Sequence, residues 1–174
     1  MAPEHRGTRA RAVPTPLRRG DGSSILLAVR PEYASLIYSG RKTIELRRVA
    51  PSRKIGRVFI YETAPQGRVT GWFDVARIEV VSPATAWKRF SARIAVTFDR
   101  FRAYLNGAKA AVLIHVGRAR RLGRASPRRR MRTTARPPQS FVYLSPRQAR
   151  VLIRAGATLG IRRARLRAIP YRMA

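Results

Sequence analysis

Hydrophobic residues along the chain follow two kinds of spacing. Short apolar runs bounded by turn residues indicate strands, and apolar residues recurring every three or four positions indicate helices. Helices are predicted to begin near Pro31, Ser82, Thr97 and Ser145, where a capping residue or a proline precedes a helical pattern. Strands are predicted over 25–29, 43–48, 58–61, 68–81, 109–116 and 141–144, the fourth being one long strand or a bent pair.

The second predicted strand carries a dense group of polar residues. Thr43, Glu45 and Arg47 share one face of it, because side chains alternate along a strand, and Lys42 stands at its entrance. A hydroxyl, a carboxylate and a guanidinium in a row are a candidate ligand site. On pattern alone, a half-buried strand with a solvated polar face is an equal alternative.

The order of the predicted elements indicates an α+β fold. A small PUA-like, mostly antiparallel β-barrel with short helices packed at its ends fits this order better than a doubly wound sheet, because the first helix is too short for repeated β-α-β units. Gly71, inside the longest strand, predicts a bulge or a close approach of another part of the chain.

The charge of the chain is far from balanced. Thirty-eight basic residues against eight acidic residues give a net charge of +30 over 174 residues, and no acidic residue follows Asp99. Such a chain repels itself unless a polyanion neutralises it, which indicates nucleic acid as the partner. The alternative is a drift towards arginine in a GC-rich genome, which explains arginine in place of lysine but not the missing acids.

The length predicts one domain, flanked by basic segments. Residues 1–23 lack any periodicity and are predicted to be a disordered basic arm. The domain is predicted over 24–158, with an arginine-rich loop at 118–136, and a basic C-terminal tail follows at 159–174. The hydrophobic content of 45% is that of a protein with a packed core.

Several classes of site are not expected. The chain has no cysteine, which excludes disulfides and thiolate metal sites, and its two histidines, His5 and His115, do not form a metal-binding pattern. We therefore expect no metal and no cofactor. No apolar run has the length of a membrane span and no secretory signal is visible, so a cytoplasmic protein without membrane contact is expected.

Several of these pieces, in this order, resemble an ASCH domain. The strongest element is the Gly-x-Lys-Thr-x-Glu-x-Arg run at 40–47, supported by Ile25–Pro31 before it and by Gly71-Trp72-Phe73 after it. The resemblance covers residues 25–145. It implies a PUA-like β-barrel with a cleft between barrel and helix, in which domains of this kind bind RNA or modified bases.

The resulting hypothesis is a protein that binds nucleic acid, RNA in the first place. Lys42, Glu45 and Arg47 would make directional hydrogen bonds to a nucleotide in the cleft, and Tyr61 or Trp72 would stack on a base. The arginine-rich arms would contact phosphates without reading sequence. The other residues predicted to contact nucleic acid are Thr43, Arg48, Arg128, Arg129 and Arg130.

Two alternatives stay open. One ASCH branch is an amidohydrolase that acts on acetylated cytidine. If this chain has that activity, Lys42 and Glu45 would work with Glu62 or Asp74 as a third catalytic group. Position 45 holds glutamate where that branch has threonine, and a carboxylate beside Lys42 should keep the lysine protonated. The other alternative is an interaction protein that binds a ribosome or DNA through its tails alone.

Overall fold

The computed structural model describes residues 22–127 and 140–154. Arg128, Arg129 and Arg130, almost all of the predicted N-terminal arm and the whole predicted C-terminal tail lie outside the described residues, and what was expected of them stays a prediction. The described residues form the elements β1 (Ser23–Val29), α1 (Pro31–Tyr38), β2 (Ile44–Arg47), β3 (Ile55–Glu62), β4 (Arg68–Val81), α2 (Pro83–Ile94), α3 (Phe98–Leu105), β5 (Ala111–Pro127), β6 (Phe141–Leu144) and α4 (146–154).

The helices begin where the capping signals predict. Ser82 and Thr97 each accept a hydrogen bond from a backbone amide in the first turn of α2 and α3. Pro31 occupies the first turn of α1, where its missing N–H leaves no helical hydrogen bond unmade. Gly40 follows α1 at φ +76°, a left-handed conformation that glycine adopts without strain, and the chain turns there towards β2.

The six described strands form one sheet in the order β2-β5-β4-β3-β1-β6. Within it β1 and β3 are parallel, whereas the other four pairs are antiparallel. The parallel pair requires a crossover, which α1 and β2 supply between β1 and β3. The α+β class predicted from the sequence is confirmed.

The predicted closed barrel is wrong. In the part of the chain that the structure describes, β2 and β6 are the two edges of the sheet and do not pair with each other. Helix α2 lies beside β2 instead: Thr43 N donates to Arg93 O at 3.0 Å, and Ile44 shares a hydrophobic cluster with Phe90 and Ile94. A helix that covers an edge strand prevents it from pairing with another chain, so the sheet does not need to close into a barrel.

Hydrophobic clusters lie on both faces of the sheet. Val58 and Ile60 belong to a cluster under α1, whereas Phe59 and Tyr61 belong to a second cluster that includes Leu152 of α4. Because alternate residues of a strand point to opposite faces, these two clusters are separated by the sheet. A third cluster joins α2 and α3 to β2 and β5. This third cluster fixes α3 close to β2.

Strand β5 is longer than predicted. It continues to Pro127 and pairs with β4 as far as Arg68, so residues 118–127 of the predicted arginine-rich loop are strand. The arginines hid the strand, because Arg118, Arg120 and Arg121 are exposed and Leu122 is the buried apolar residue beside them. The long partner β4 supplies backbone hydrogen bonds that composition does not reveal.

Gly71 has both properties predicted for it. The pairing register shifts beside it, which is a bulge. A Cβ atom at this position would collide with the carbonyl oxygen of Arg120 and would lie 2.5 Å from the hydroxyl of Tyr38. The close approach of α1 to β4 and β5 therefore depends on the absence of a side chain.

Candidate functional site

A cavity of about 450 Å³ opens between the end of β1, α1, β2 and α3. Its volume is within the range of sites for small ligands. The polar or aromatic residues that line it include Arg30, Tyr33, Lys42, Glu45, Arg47 and Arg100. We call this cavity the cleft. It brings together three residues of the polar group predicted from the sequence.

Glu45 has a cation on each side. Its Oε1 atom lies 2.9 Å from Arg47 Nη2, and its Oε2 atom lies 3.5 Å from Lys42 Nζ. The exposed fractions of the three residues are only 2% for Lys42, 6% for Glu45 and 7% for Arg47. These values exclude the alternative in which β2 is a half-buried strand with a solvated polar face. A ligand that enters the cleft meets one anionic acceptor and two cationic donors with little competing water.

Lys42 is held by contacts to two helices. Its Nζ atom donates to the carbonyl of Ile94, at the end of α2, at 2.5 Å. The same atom lies 5.3 Å from the centre of the Tyr33 ring on α1, a favourable cation–π distance. The lysine thus joins α1, α2 and β2 at the base of the site.

Arg47 connects β2 to β1. Its Nη2 atom donates to the carbonyl of Ala28 at 2.5 Å as well as to Glu45. Its Nε atom is buried and has no hydrogen-bond partner among the described residues. Leaving a buried donor unpaired costs about 1–3 kcal/mol. The side chain that carries this donor lines the cleft.

The pKa of Lys42 shifts in the direction opposite to the one expected from its pairing with Glu45 alone. Burial lowers the pKa of Lys42 below its ordinary value of 10.5, and the attraction of Glu45 opposes this only in part, while Arg47 adds to the lowering. The effect of burial is the larger one, because removing the ammonium from water costs more free energy than the attraction of one carboxylate at 3.5 Å provides. The prediction from the sequence took into account the attraction between Lys42 and Glu45 but not the burial of Lys42.

The two remaining polar residues of the motif are not cleft residues. Thr43 is half-buried, and its hydroxyl accepts a hydrogen bond from Arg93 Nε at 3.0 Å. Arg48 is exposed, and its Nη2 atom donates to the carbonyl of Asn106 at 3.2 Å. Neither lines the cleft, although Thr43 precedes the same strand.

The predicted stacking residues lie elsewhere. Tyr61 and Trp72 are buried in the second cluster, which faces away from α1, and neither lines the cleft. The Trp72 ring has Arg57 Cζ at 4.1 Å and Arg118 Cζ at 5.2 Å from its centre. It therefore supports two guanidinium groups.

The two candidates for a third catalytic carboxylate are also outside the cleft. Glu62 is buried, with its Oε1 atom 3.8 Å from Arg121 Nη2. Asp74 pairs with Arg57 at 2.6 Å and with Arg118 at 3.5 Å. The structure does not bring either of them to Lys42 and Glu45 in the cleft.

Sequence reasoning missed Tyr33, Arg100 and Tyr104 as cleft residues. Tyr33 lies on α1, and its hydroxyl accepts a hydrogen bond from Arg100 Nη1 at 3.1 Å. Arg100 and Tyr104 lie on α3, distant from β2 along the chain. The only available signal was their spacing of four residues, which places both on one side of the helix.

His115 belongs to a separate polar group. Its Nε2 atom lies 2.7 Å from Glu79 Oε1, and its Nδ1 atom lies 3.5 Å from Arg93 Nη2. Burial lowers the pKa of His115, Arg77 and Arg93 add to the effect, and Glu79 opposes it. A neutral, packed histidine agrees with this. The described residues contain no group of three potential metal ligands and no helix long and apolar enough to span a membrane.

Comparison with known proteins identifies relatives across most of the chain. The sequence model of the ASCH domain matches residues 27–119. A relative from Zymomonas mobilis subsp. mobilis, named an ASCH domain-containing ribonuclease, is 27% identical over 136 residues, which are 76% of this chain and 92% of that protein.

Solved structures agree with the sequence match. The crystal structure of ASCH from Zymomonas mobilis is similar at a TM-score of 0.70 and 26% identity, covering 76% of this chain and 94% of that one. The N-terminal domain of Staphylothermus marinus McrB is similar at a TM-score of 0.52 and 10% identity, covering 82% of this chain and all of that one. The second likeness concerns the fold alone.

Proposed function

The chain belongs to the ASCH domain family, and from this premise we propose that it binds RNA and holds one nucleotide in the cleft. The observation that carries the proposal is the Glu45 carboxylate, which lines the cleft between the Arg47 guanidinium and the Lys42 ammonium. A nucleobase edge presents acceptors and amino donors side by side, and single-stranded bases expose that edge. Arg47 would donate to a base acceptor, and Glu45 would accept from a neighbouring amino group.

Two further findings support RNA as the ligand. A relative that this chain matches over most of its length is named a ribonuclease. The net charge of +30 suits a polyanion, because arginines that neutralise phosphates release counterions on binding. The cleft would select a nucleotide, and the exposed arginines would provide general affinity.

Fluorescence anisotropy with a short single-stranded RNA tests the proposal. The affinity should fall steeply between about 50 and 200 mM salt, because counterion release is lost. At constant salt, Glu45→Gln should weaken binding about tenfold, the effect of about 1.4 kcal/mol. Glu79→Gln, a carboxylate outside the cleft, is the matched control and should bind as the wild type does. Equal binding by both variants would contradict the assignment of the cleft, and the DNA version of the same strand tests the preference for RNA.

Cleavage of the bound RNA is a second candidate. It is favoured by the direction in which burial shifts the pKa of Lys42, because a lysine with a lowered pKa gives up its proton more readily and can then act as a general base. Lys42→Arg keeps a positive charge but cannot deprotonate, so it should bind RNA and fail to cleave it. Cleavage by both proteins at equal rates would exclude this role for Lys42.

The amidohydrolase alternative has less support. Acetylated cytidine could enter the cleft, and Lys42 and Glu45 could contact its amide. The third group that this hypothesis needs is not supplied by Glu62 or Asp74, which lie away from the cleft. Incubation with acetylated cytidine, with Lys42→Ala as the control, tests it directly: release of acetate by the wild type alone would restore it.

A further inference from the structure

The cleft is joined to a second depression, which we call the groove. The groove has a volume of about 630 Å³ and lies between α1, the end of α2 and the start of α3. Tyr33, Val96 and Arg100 line both cavities. These shared residues form a common border between the cleft and the groove. The groove is also the more open of the two to solvent.

From this arrangement we infer that the substrate is an RNA strand of at least two nucleotides, with one nucleotide in the cleft, the next in the groove, and Arg100 at the phosphate between them. The inference rests on the proposed function and goes beyond it, because a free nucleoside would need the cleft alone. It also assigns binding roles to α2 and α3, which the sequence motif does not include.

The groove has a surface suited to a base. Trp87 and Leu36 line it, and Tyr33 forms its border with the cleft. The Trp87 ring packs at 5.0 Å from the rings of Phe98 and Phe101, so its position is fixed before any ligand arrives. A pre-positioned aromatic side chain stacks on any base, with about 1–3 kcal/mol per base, because each base has a π face.

The boundary between the cavities has the charge that a phosphate requires. Arg100 donates to the Tyr33 hydroxyl at 3.1 Å, and its side chain is 58% exposed. Its Nη1 atom lies 3.7 Å from Glu32 Oε1, and Arg30 lies 3.9 Å from the same oxygen. Two arginines thus share one exposed carboxylate, which holds them weakly. A phosphodiester at this point would replace Glu32 as their partner and leave the boundary close to neutral.

The groove can be blocked without touching the cleft. Ala92 lines the groove from the exposed side of α2, so Ala92→Trp should fill it. Ala84 is exposed on the same helix and lines neither cavity, which makes Ala84→Trp the matched control. At the boundary, Arg100→Gln removes the charge. Arg102→Gln removes an exposed charge from the same helix outside both cavities.

The experiment measures the affinity of each variant for a labelled RNA tetranucleotide and for a nucleoside 3′-monophosphate, at one salt concentration. Ala92→Trp should weaken tetranucleotide binding at least fivefold and leave monophosphate binding within twofold. Arg100→Gln should weaken tetranucleotide binding by a similar factor, and both controls should bind as the wild type does. Circular dichroism checks that the variants are folded. If Ala92→Trp does not fold, Arg100→Gln, which replaces an exposed residue, still tests the inference.

The outcomes separate this inference from the proposed function. If Ala92→Trp and Arg100→Gln both bind the tetranucleotide as the wild type does while Glu45→Gln loses affinity, the cleft binds RNA and the groove does not take part. If the wild type binds no RNA, or if Glu45→Gln binds it normally, the proposed function fails and the inference fails with it. A loss of monophosphate binding in Ala92→Trp would also overturn the two-part site.

Discussion

The guanidinium of Arg47 joins two strands that are not neighbours in the sheet. It donates from β2 to the carbonyl of Ala28 in β1, although β5, β4 and β3 lie between these strands in the sheet order. The sheet must therefore curl until its β2 edge approaches β1. The cleft lies in this gap. Its shape depends on the curvature of the sheet as much as on the residues that line it.

Replacing Arg47 by lysine should weaken this connection. Both contacts, to Ala28 and to Glu45, are made by Nη2 of a planar guanidinium, and the ammonium of a flexible lysine side chain is not held in that position. The free energy of unfolding should fall by about 1.5–3 kcal/mol, the range for a hydrogen bond to a charged group. Urea denaturation measures the change, with Arg48→Lys as the control at the exposed neighbouring position, where a change below about 0.5 kcal/mol is expected. Equal losses in the two variants would mean that the bridge does not stabilise the fold.

The three buried charges should be needed for binding and not for folding. Glu45→Leu alone leaves two buried cations without a counter-ion and should cost about 3–5 kcal/mol, whereas apolar replacement of a whole buried charge group is often neutral or stabilising. The triple variant Lys42→Met, Glu45→Leu, Arg47→Met should therefore unfold at a urea concentration at least as high as the wild type while losing RNA affinity. A triple variant as unstable as Glu45→Leu would show that the charges stabilise the fold.

The stability of the protein should depend on the ionisation of Lys42 at alkaline pH. Because burial lowers the pKa of Lys42 in the folded state, the unfolded chain binds more protons between that lowered value and the ordinary value of 10.5. Stability should rise with pH across this window. The measurement is the free energy of unfolding of the wild type minus that of Lys42→Met at about pH 8, 9 and 10. A difference that stays constant or decreases would contradict the lowered pKa.

Gly71→Ala should destabilise the protein by about 1–3 kcal/mol, the usual cost of overpacking. The new methyl group would collide with the Arg120 carbonyl and press on the Tyr38 ring. Adding Tyr38→Phe removes only the hydroxyl, so the double variant should not recover the stability of Tyr38→Phe alone. Thermal unfolding of the four proteins tests this, and a fully restored melting temperature in the double variant would place the conflict at the Tyr38 hydroxyl.

The sequence predicted the elements better than the surfaces between them. Caps at Ser82 and Thr97 and the bulge at Gly71 are local, and each was confirmed. The polar group at Lys42, Glu45 and Arg47 was also found, because alternation on a strand is a local property. Its burial was not, since it arises from contacts to other elements: Lys42 contacts Tyr33 of α1 and Ile94 of α2, and Arg47 contacts β1.

The errors have a common physical cause. The barrel, the loop at 118–127 and the placement of Tyr61 and Trp72 at the cleft all required knowledge of what lies beside a segment. Tyr61 and Trp72 have suitable rings for stacking, but strand alternation places them in the cluster that faces away from α1. Without the fold, a single sequence does not show which face of a strand meets the ligand.

The position of β2 in the sheet has a consequence for how the site is made. Among the described strands, β2 pairs with β5 alone, and four elements separate these two strands along the chain. In a chain synthesised from its N-terminus, Lys42, Glu45 and Arg47 emerge early and stay in water until β5 has emerged. The cleft is therefore completed late, by contacts that must close a long loop. A fragment that ends before β5 would carry every residue of the motif and have no binding site.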